Sequence, residues 1–380
     1  PSSAIWVDDG ASYSYSSTVS AGSGKQYALT GTSGGLDSPI SASGSESGSY
    51  VTQWSATFSK SGLGSDAGSS TILTVGSTQY SYSTFPSGAI WVNDNTAYSF
   101  AGTVSVSGGT KRYALTGTSG GLATPITASG SESATYGTQW KVTFSQSGVD
   151  SSAGSNTVLT VGSTPYAYDA LPSSVYLDSG TTFSWASPVS GGEGKQFVKT
   201  GGSGASPISA AGTYSATYGT QYQVTFTSSG LDGTVDSATK VVTVGGSDVA
   251  YGQLPYQNWF DSETTYSFYS TVASTTSGKQ FSLTGTSPAS PISGSTGSTV
   301  TGTYKTQYSL TVTSAYGSPT GAGWYDSGAT PTFGVTTPDG TSGTRYVLAS
   351  WSGSGAGSYS GSDASHSVTM SNAITETASW

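Results

Sequence analysis

Along Tyr50-Val-Thr52-Gln-Trp54-Ser-Ala56-Thr-Phe58, Tyr50, Thr52, Trp54, Ala56 and Phe58 fall on every second position and share one face. That period of two is the signature of a β-strand. Ala11-Ser-Tyr13-Ser-Tyr15, Lys25-Gln-Tyr27-Ala-Leu29-Thr30 and Thr71-Ile-Leu-Thr-Val75 read as shorter strands, bounded by Gly/Ser clusters such as Ala21-Gly-Ser-Gly24 and Ser61-Gly-Leu-Gly64. No segment joins helical periodicity to capping residues. Strands of this length, spaced about ten residues apart, predict antiparallel β-sandwiches. The expected fold is all-β: a tandem array of small antiparallel β-sandwich modules forming an elongated rod.

The array is visible as internal repetition. Pro1-Ser-Ser-Ala-Ile5-Trp6-Val-Asp8 returns as Pro86-Ser-Gly-Ala-Ile-Trp91-Val-Asn93, and more loosely near Asp178, Asp261 and Asp326. Thr-Gln-Trp/Tyr recurs with its glutamine at 53, 139, 221 and 307, steps of 86, 82 and 86. A basic residue precedes an aromatic at Lys25, Lys111, Lys195, Lys279 and finally Arg345. Three markers in constant order mean one small module repeated, an organisation more common in scaffolds than in catalytic units. Each Thr-Gln-aromatic strand is read as finishing one module and opening the next. Five modules follow: 1–51, 52–137, 138–219, 220–305 and 306–380, the first lacking its leading strands.

Composition refines the class. Only 8% of the residues are charged, but 25 Tyr, 9 Trp and 11 Phe separate the chain from disordered sequences, which are poor in aromatics. The net charge of −9 argues against binding nucleic acid through phosphate neutralisation. No stretch approaches the roughly 20 apolar residues of a membrane span. With no cysteine, no disulfide or thiol chemistry is available. A start at Pro1 rather than Met suggests that a leader was removed, as in secretion.

The tail from Thr306-Gln-Tyr through Gly321-Ala-Gly-Trp-Tyr325, Gly343-Thr-Arg-Tyr-Val, Trp351-Ser-Gly, Ser367-Val-Thr-Met370 and Thr377-Ala-Ser-Trp380 resembles the divergent internalin-type B-repeat family. The earlier copies, with Leu-Thr-Val-Gly-Ser-Thr-x-Tyr, resemble repeat arrays of large archaeal and bacterial cell-surface proteins. The resemblance implies Ig-like modules and an extracellular, cell-surface setting. It carries no catalytic residues.

The residues themselves offer little chemistry. Gly22-Ser-Gly-Lys25-Gln lacks the spacing of a phosphate loop and has no helix after it. The single histidine, His366, has no Ser or Asp counterpart at a repeated site. Five glutamates are scattered, so no paired carboxylates suggest acid–base catalysis. Neither an enzyme nor a cofactor is expected.

Asp8, Asn93, Asp178, Asp261 and Asp326 occupy one repeated position. An Asx turn explains them. A calcium ion on Asp8 and Asp9 is a second reading. A third is an amide cross-link from Lys25, Lys111, Lys195 or Lys279, although snorkelling beside an aromatic covers Arg345 as well. Trp6, Trp91, Trp259 and Trp324 read as plugs at the core end of each module, with sugar stacking as the alternative. Ser/Thr runs such as 271–277 are places for O-linked glycans.

Two functions from different classes remain. In the first, the chain is a structural subunit of a surface filament, sheath or S-layer-like assembly, with copies of itself as partners. Ala373, Ile374, Thr375, Thr377 and Trp380 of one copy are expected to meet Ile5, Trp6, Tyr13 and Tyr15 of the next by β-strand addition. In the second, it is a cell-surface adhesin rod that binds glycans or a partner cell, with the loop 352–362 around Tyr359 as its tip.

Overall fold

The computed structural model describes residues 3–294 and 298–380; Pro1 and Ser2, which open the first repeat marker, lie outside them. The fold is all-β, with no α-helix among the described residues. Two compact units interleave along the chain. One comprises 1–147, 157–186 and 201–216; the other comprises 148–156, 187–200 and 217–380.

In the first unit the frame is the long strand Glu46–Ser61. Up to Trp54 it pairs antiparallel with Lys25–Gly34, with Gln26 opposite Gln53. From Gln53 to Ala56 it pairs antiparallel with Ile90–Asn93. The strand therefore changes neighbours at its Thr-Gln-aromatic. From Ala56 to Ser61 it also runs parallel to Gly130–Thr135, the start of the next long strand, Gly130–Ser147. That parallel ladder corrects the purely antiparallel expectation. A strand that changes neighbours leaves an open edge, and the next copy reaches that edge running in the same direction, so the sheet is mixed.

A second layer closes over this frame. Leu73–Val75 sits between Thr78–Tyr80 and Tyr98–Phe100. Leu159–Val161 sits between Thr164–Tyr166 and Phe183–Trp185. The core lies between the layers, where Ala56, Phe58, Leu73, Val75 and Val92 are all buried. Phe58 meets Tyr98 edge-on at 5.0 Å, and Phe144 meets Phe183 at 5.2 Å. This geometry adds about 1 kcal/mol per pair beyond the burial of area.

The second unit repeats the plan. Gln221–Phe226 pairs antiparallel with Tyr256–Asp261, and Thr225–Ser229 runs parallel to Thr299–Thr303. Lys240–Val244 lies between Ser247–Ala250 and Tyr266–Phe268. Phe226 and Tyr266 repeat the edge-on contact at 5.1 Å. Towards the C-terminus, Leu310–Thr313 runs parallel to Ile374–Thr377, and Phe333, Trp351, Met370 and Ile374 fill a separate core.

Glycine is required where two of the long strands end. Gly62 has φ +76° and Gly230 φ +83°, and a Cβ at either would overlap the carbonyl oxygen of Tyr136 or Tyr304 on the next long strand. Only glycine permits that combination of left-handed backbone and close approach.

Candidate functional site

The three sequence markers meet in space. Gln26 Nε2 donates to Gln53 Oε1 at 2.8 Å, and Gln53 Nε2 donates to Asn93 Oδ1 at 2.9 Å. The same relay recurs as Gln196–Gln221–Asp261 (2.8 and 2.9 Å) and Gln280–Gln307–Asp326 (3.0 and 2.9 Å). In the remaining copy Arg112 Nε donates to Gln139 Oε1 at 2.7 Å, and Gln139 donates to Asp178 at 2.8 Å. Where the ladder registers are resolved, these residues stand directly opposite one another on adjacent strands, so side chains of matching length join three strands.

The lysines take other partners. Lys111, Lys195 and Lys279 reach Asp66, Asp150 and Asp232 at 2.8, 2.7 and 2.5 Å. The third reading, a Lys–Asx pairing, is not formed: Asn93, Asp178 and Asp261 accept from the glutamines instead. Lys25, in the first copy, stands 5.1 Å from the Tyr27 ring and 5.3 Å from Trp54. Lys111, Lys195 and Lys279 lie over Tyr113, Phe197 and Phe281 at 4.5 to 5.0 Å, the snorkelling geometry. Hydrogen bonds from Lys195 and Lys279 hold the carboxyls of Asp150 and Asp232 down at about 2. These three aspartates were missed in the sequence. The signal was present: each follows Ser-Gly-Leu/Val closely, at Ser61-Gly-Leu63, Ser147-Gly-Val149 and Ser229-Gly-Leu231.

Trp6, Trp91 and Trp324 face outward, which corrects their reading as core plugs, while Trp259 is half-buried. On Ile90–Asn93, Val92 is buried while Trp91 stays 45% exposed. Trp324 is 44% exposed and Trp6 fully so. Alternation dictates this: the residue between two inward positions shares the solvent face of the relay. Trp324 walls a groove of about 580 Å³ together with Lys305, Gln307, Asp326, Ser282 and Thr284.

The two ends expected to join differ in their pairing. No hydrophobic residue before Ala56 is buried among the described residues. Ile5 and Val7 correspond to Ile90 and Val92, yet Ile5 is 62% exposed and no strand pairs with 5–8. Tyr13 and Tyr15 correspond to Tyr98 and Phe100 but pair with no strand; their hydroxyls donate to Leu36 O and Glu46 O at 2.5 and 2.7 Å. Ile374–Ser379, by contrast, is no free donor strand. It is hydrogen-bonded on both edges, to Leu310–Thr313 and to Ser350–Ser354, and Ile374, Glu376 and Ala378 are buried. Thr375 and Thr377 belong to that same two-sided strand, Ala373 adjoins it, and Trp380 donates Nε1–H to Ser314 Oγ at 2.9 Å.

The remaining expectations place as follows. Asp8 and Asp9 lie in an exposed turn, where Ala11 N–H donates to Asp8 O at 3.1 Å. Among the described residues no three His, Asp or Glu gather as metal ligands, and no helix is long and apolar enough to cross a membrane. In the 271–277 run, Ser274 Oγ and Thr275 Oγ1 already donate to Thr234. The 352–362 loop folds back on its own core: Tyr359 stacks on His366 at 3.7 Å and donates its N–H to Glu376.

No protein-family model and no curated protein matches this chain.

Proposed function

We propose that the chain is an extracellular structural protein, the subunit of a surface filament, sheath or layer, built from Ig-like modules and joined to its neighbour by β-strand addition. The observation that carries this reading is the exposed segment 5–8, which pairs with no strand and leads into Tyr13 and Tyr15, held by hydroxyl contacts rather than by a ladder. Ile5, Val7, Tyr13 and Tyr15 repeat residues that, in the copy 85 residues on, pack against Phe58 and the Leu73–Val75 hairpin. An apolar edge with the ladder positions of a core strand is a template for another strand. A second copy is the proposed occupant, because the equivalent residues 85 positions on are covered by Phe58, Leu73 and Val75, which every copy of this chain carries.

Electron microscopy and light scattering across a concentration series, with a synthetic Gln53–Phe85 peptide added in a parallel series, test this reading. Concentration-dependent polymers that shorten when the peptide caps the open face are expected. Monomers at every concentration, together with no binding of the peptide, would overturn it.

The outward tryptophans favour a second reading, a cell-surface adhesin that binds glycans. Exposed rings beside hydrogen-bonding side chains on a solvent face are spare for packing, which gives this reading its own observation.

A further inference from the structure

The repeated solvent face is not the same in all its copies. Two residues before the relay glutamine stand Val51, Gly137, Gly219 and Lys305. Only the last is charged, and its Nζ forms an ion pair with Asp326. Asp326 also accepts from Gln307 Nε2 at 2.9 Å. The Lys305 and Asp326 side chains remain 49% and 39% exposed, so water rather than protein covers much of the pair. Trp324 lies on the same strand face as Asp326, opposite Ser309, while Gln307 stands opposite Asp326 and Lys305 opposite Ser282. The lining of this open groove thus sets an exposed aromatic ring beside ammonium, carboxylate, amide and hydroxyl groups.

We propose that this groove is a binding site for a neutral pyranose. The inference rests on the adhesin reading and is independent of assembly. A sugar ring presents a face of C–H groups and a rim of hydroxyls, each both donor and acceptor. The exposed Trp324 ring matches the C–H face. Lys305 and Asp326, already adjacent, match a pair of neighbouring hydroxyls: one oxygen accepts from Nζ while the next hydroxyl donates to the carboxylate. The ion pair neutralises itself, which selects a neutral sugar over a uronic or sialic acid. The first copy keeps Trp91 and Gln53 but has Val51 in place of the lysine and Asn93 in place of the aspartate, so it lacks both charges of this fork. Trp91 is therefore an internal control.

Saturation-transfer NMR on the full chain, with methyl glycosides of glucose, galactose and mannose at roughly 10 mM, tests the site, since a single ring binds no tighter than about millimolar. At least one sugar should bind. Trp324→Ala should weaken it about tenfold or more, the loss of a central aromatic contact. Lys305→Val, which installs the residue of the first copy, should weaken it several-fold, and Trp91→Ala should leave it unchanged. Both tryptophans are half exposed, so unchanged far-UV circular dichroism is expected for each variant. If Trp91→Ala abolishes binding and Trp324→Ala does not, this site is wrong while the adhesin reading stands. If no sugar binds, both fall and assembly is untouched.

Discussion

Gln307 donates its side-chain amide to Asp326 at 2.9 Å from the register position directly opposite, and the same glutamine accepts from Gln280 at 3.0 Å. Each relay glutamine thus uses both ends of its amide to hold two neighbouring strands, and donor and acceptor lie a fixed distance apart. No shorter or apolar residue serves both strands.

Gln139→Ala should therefore cost more than the loss of one contact. It orphans Arg112 Nε and the Asp178 carboxylate together, on a half-solvated face, at about 1–2 kcal/mol. Asp178→Asn keeps an acceptor for Gln139 and should lie within about 0.5 kcal/mol of wild type. Urea denaturation of both variants checks the difference.

Acid should weaken the Lys–Asp ties. Asp150 and Asp232 are held near pKa 2 against an ordinary 3.8, so their contribution is fully present above about pH 4 and is lost as pH falls towards 2. Both carboxylates are about half exposed, so each tie contributes only a few tenths of a kcal/mol. Thermal melts between pH 5 and 2 should show this loss shrinking in 1 M salt and in Lys279→Met.

Glu376 should act with the opposite sign. Burial raises its carboxyl above the ordinary 4.5, and one of its oxygens is buried without a hydrogen-bond partner. The folded state holds the proton more tightly, so acidification from neutral towards pH 4.5 adds stability through this group. Glu376→Gln keeps an acceptor for Tyr359 N–H, removes the buried charge and should add about 1 kcal/mol at pH 7. A variant no more stable than wild type at pH 7 would refute this account.

Gly62→Ala should destabilise by more than about 2 kcal/mol, since the new Cβ meets the Tyr136 carbonyl as well as a left-handed backbone. Gly109→Ala shares the positive φ but opens onto free space and should cost about 1 kcal/mol. Calorimetry on the pair separates steric overlap from backbone strain.

The strands were legible because Tyr50 to Phe58 alternates so regularly. The relay positions were legible as recurring Gln and Asx, 40, 39, 40 and 19 residues apart in successive copies, but the hydrogen bonds between them were not, because recurrence does not say which side chains face one another. The parallel ladder between Ala56 and Gly130 was not, because alternation fixes the face a strand shows and says nothing about which distant strand lies beside it. The outward aim of Trp91 was available from Ile90 and Val92 on either side, but aromatic size suggested burial instead. Asp66 escaped notice because Gly64 and Ser65 separate it from the Ser-Gly-Leu that Asp232 follows directly. The two-sided pairing of Ile374–Ser379 depends on Ser350–Ser354, a strand whose Gly/Ser content reads as loop.

A strand that exchanges one set of neighbours for another at its central glutamine has no seam at which one copy ends. A duplication or deletion of one whole period, wherever its breakpoints fall, leaves each remaining long strand with an upstream hairpin, a downstream hairpin and a following copy of the same kind. Genes of this type can therefore lengthen or shorten by unequal recombination without passing through a chain that misfolds, and copy number is open to selection as a dimension separate from sequence.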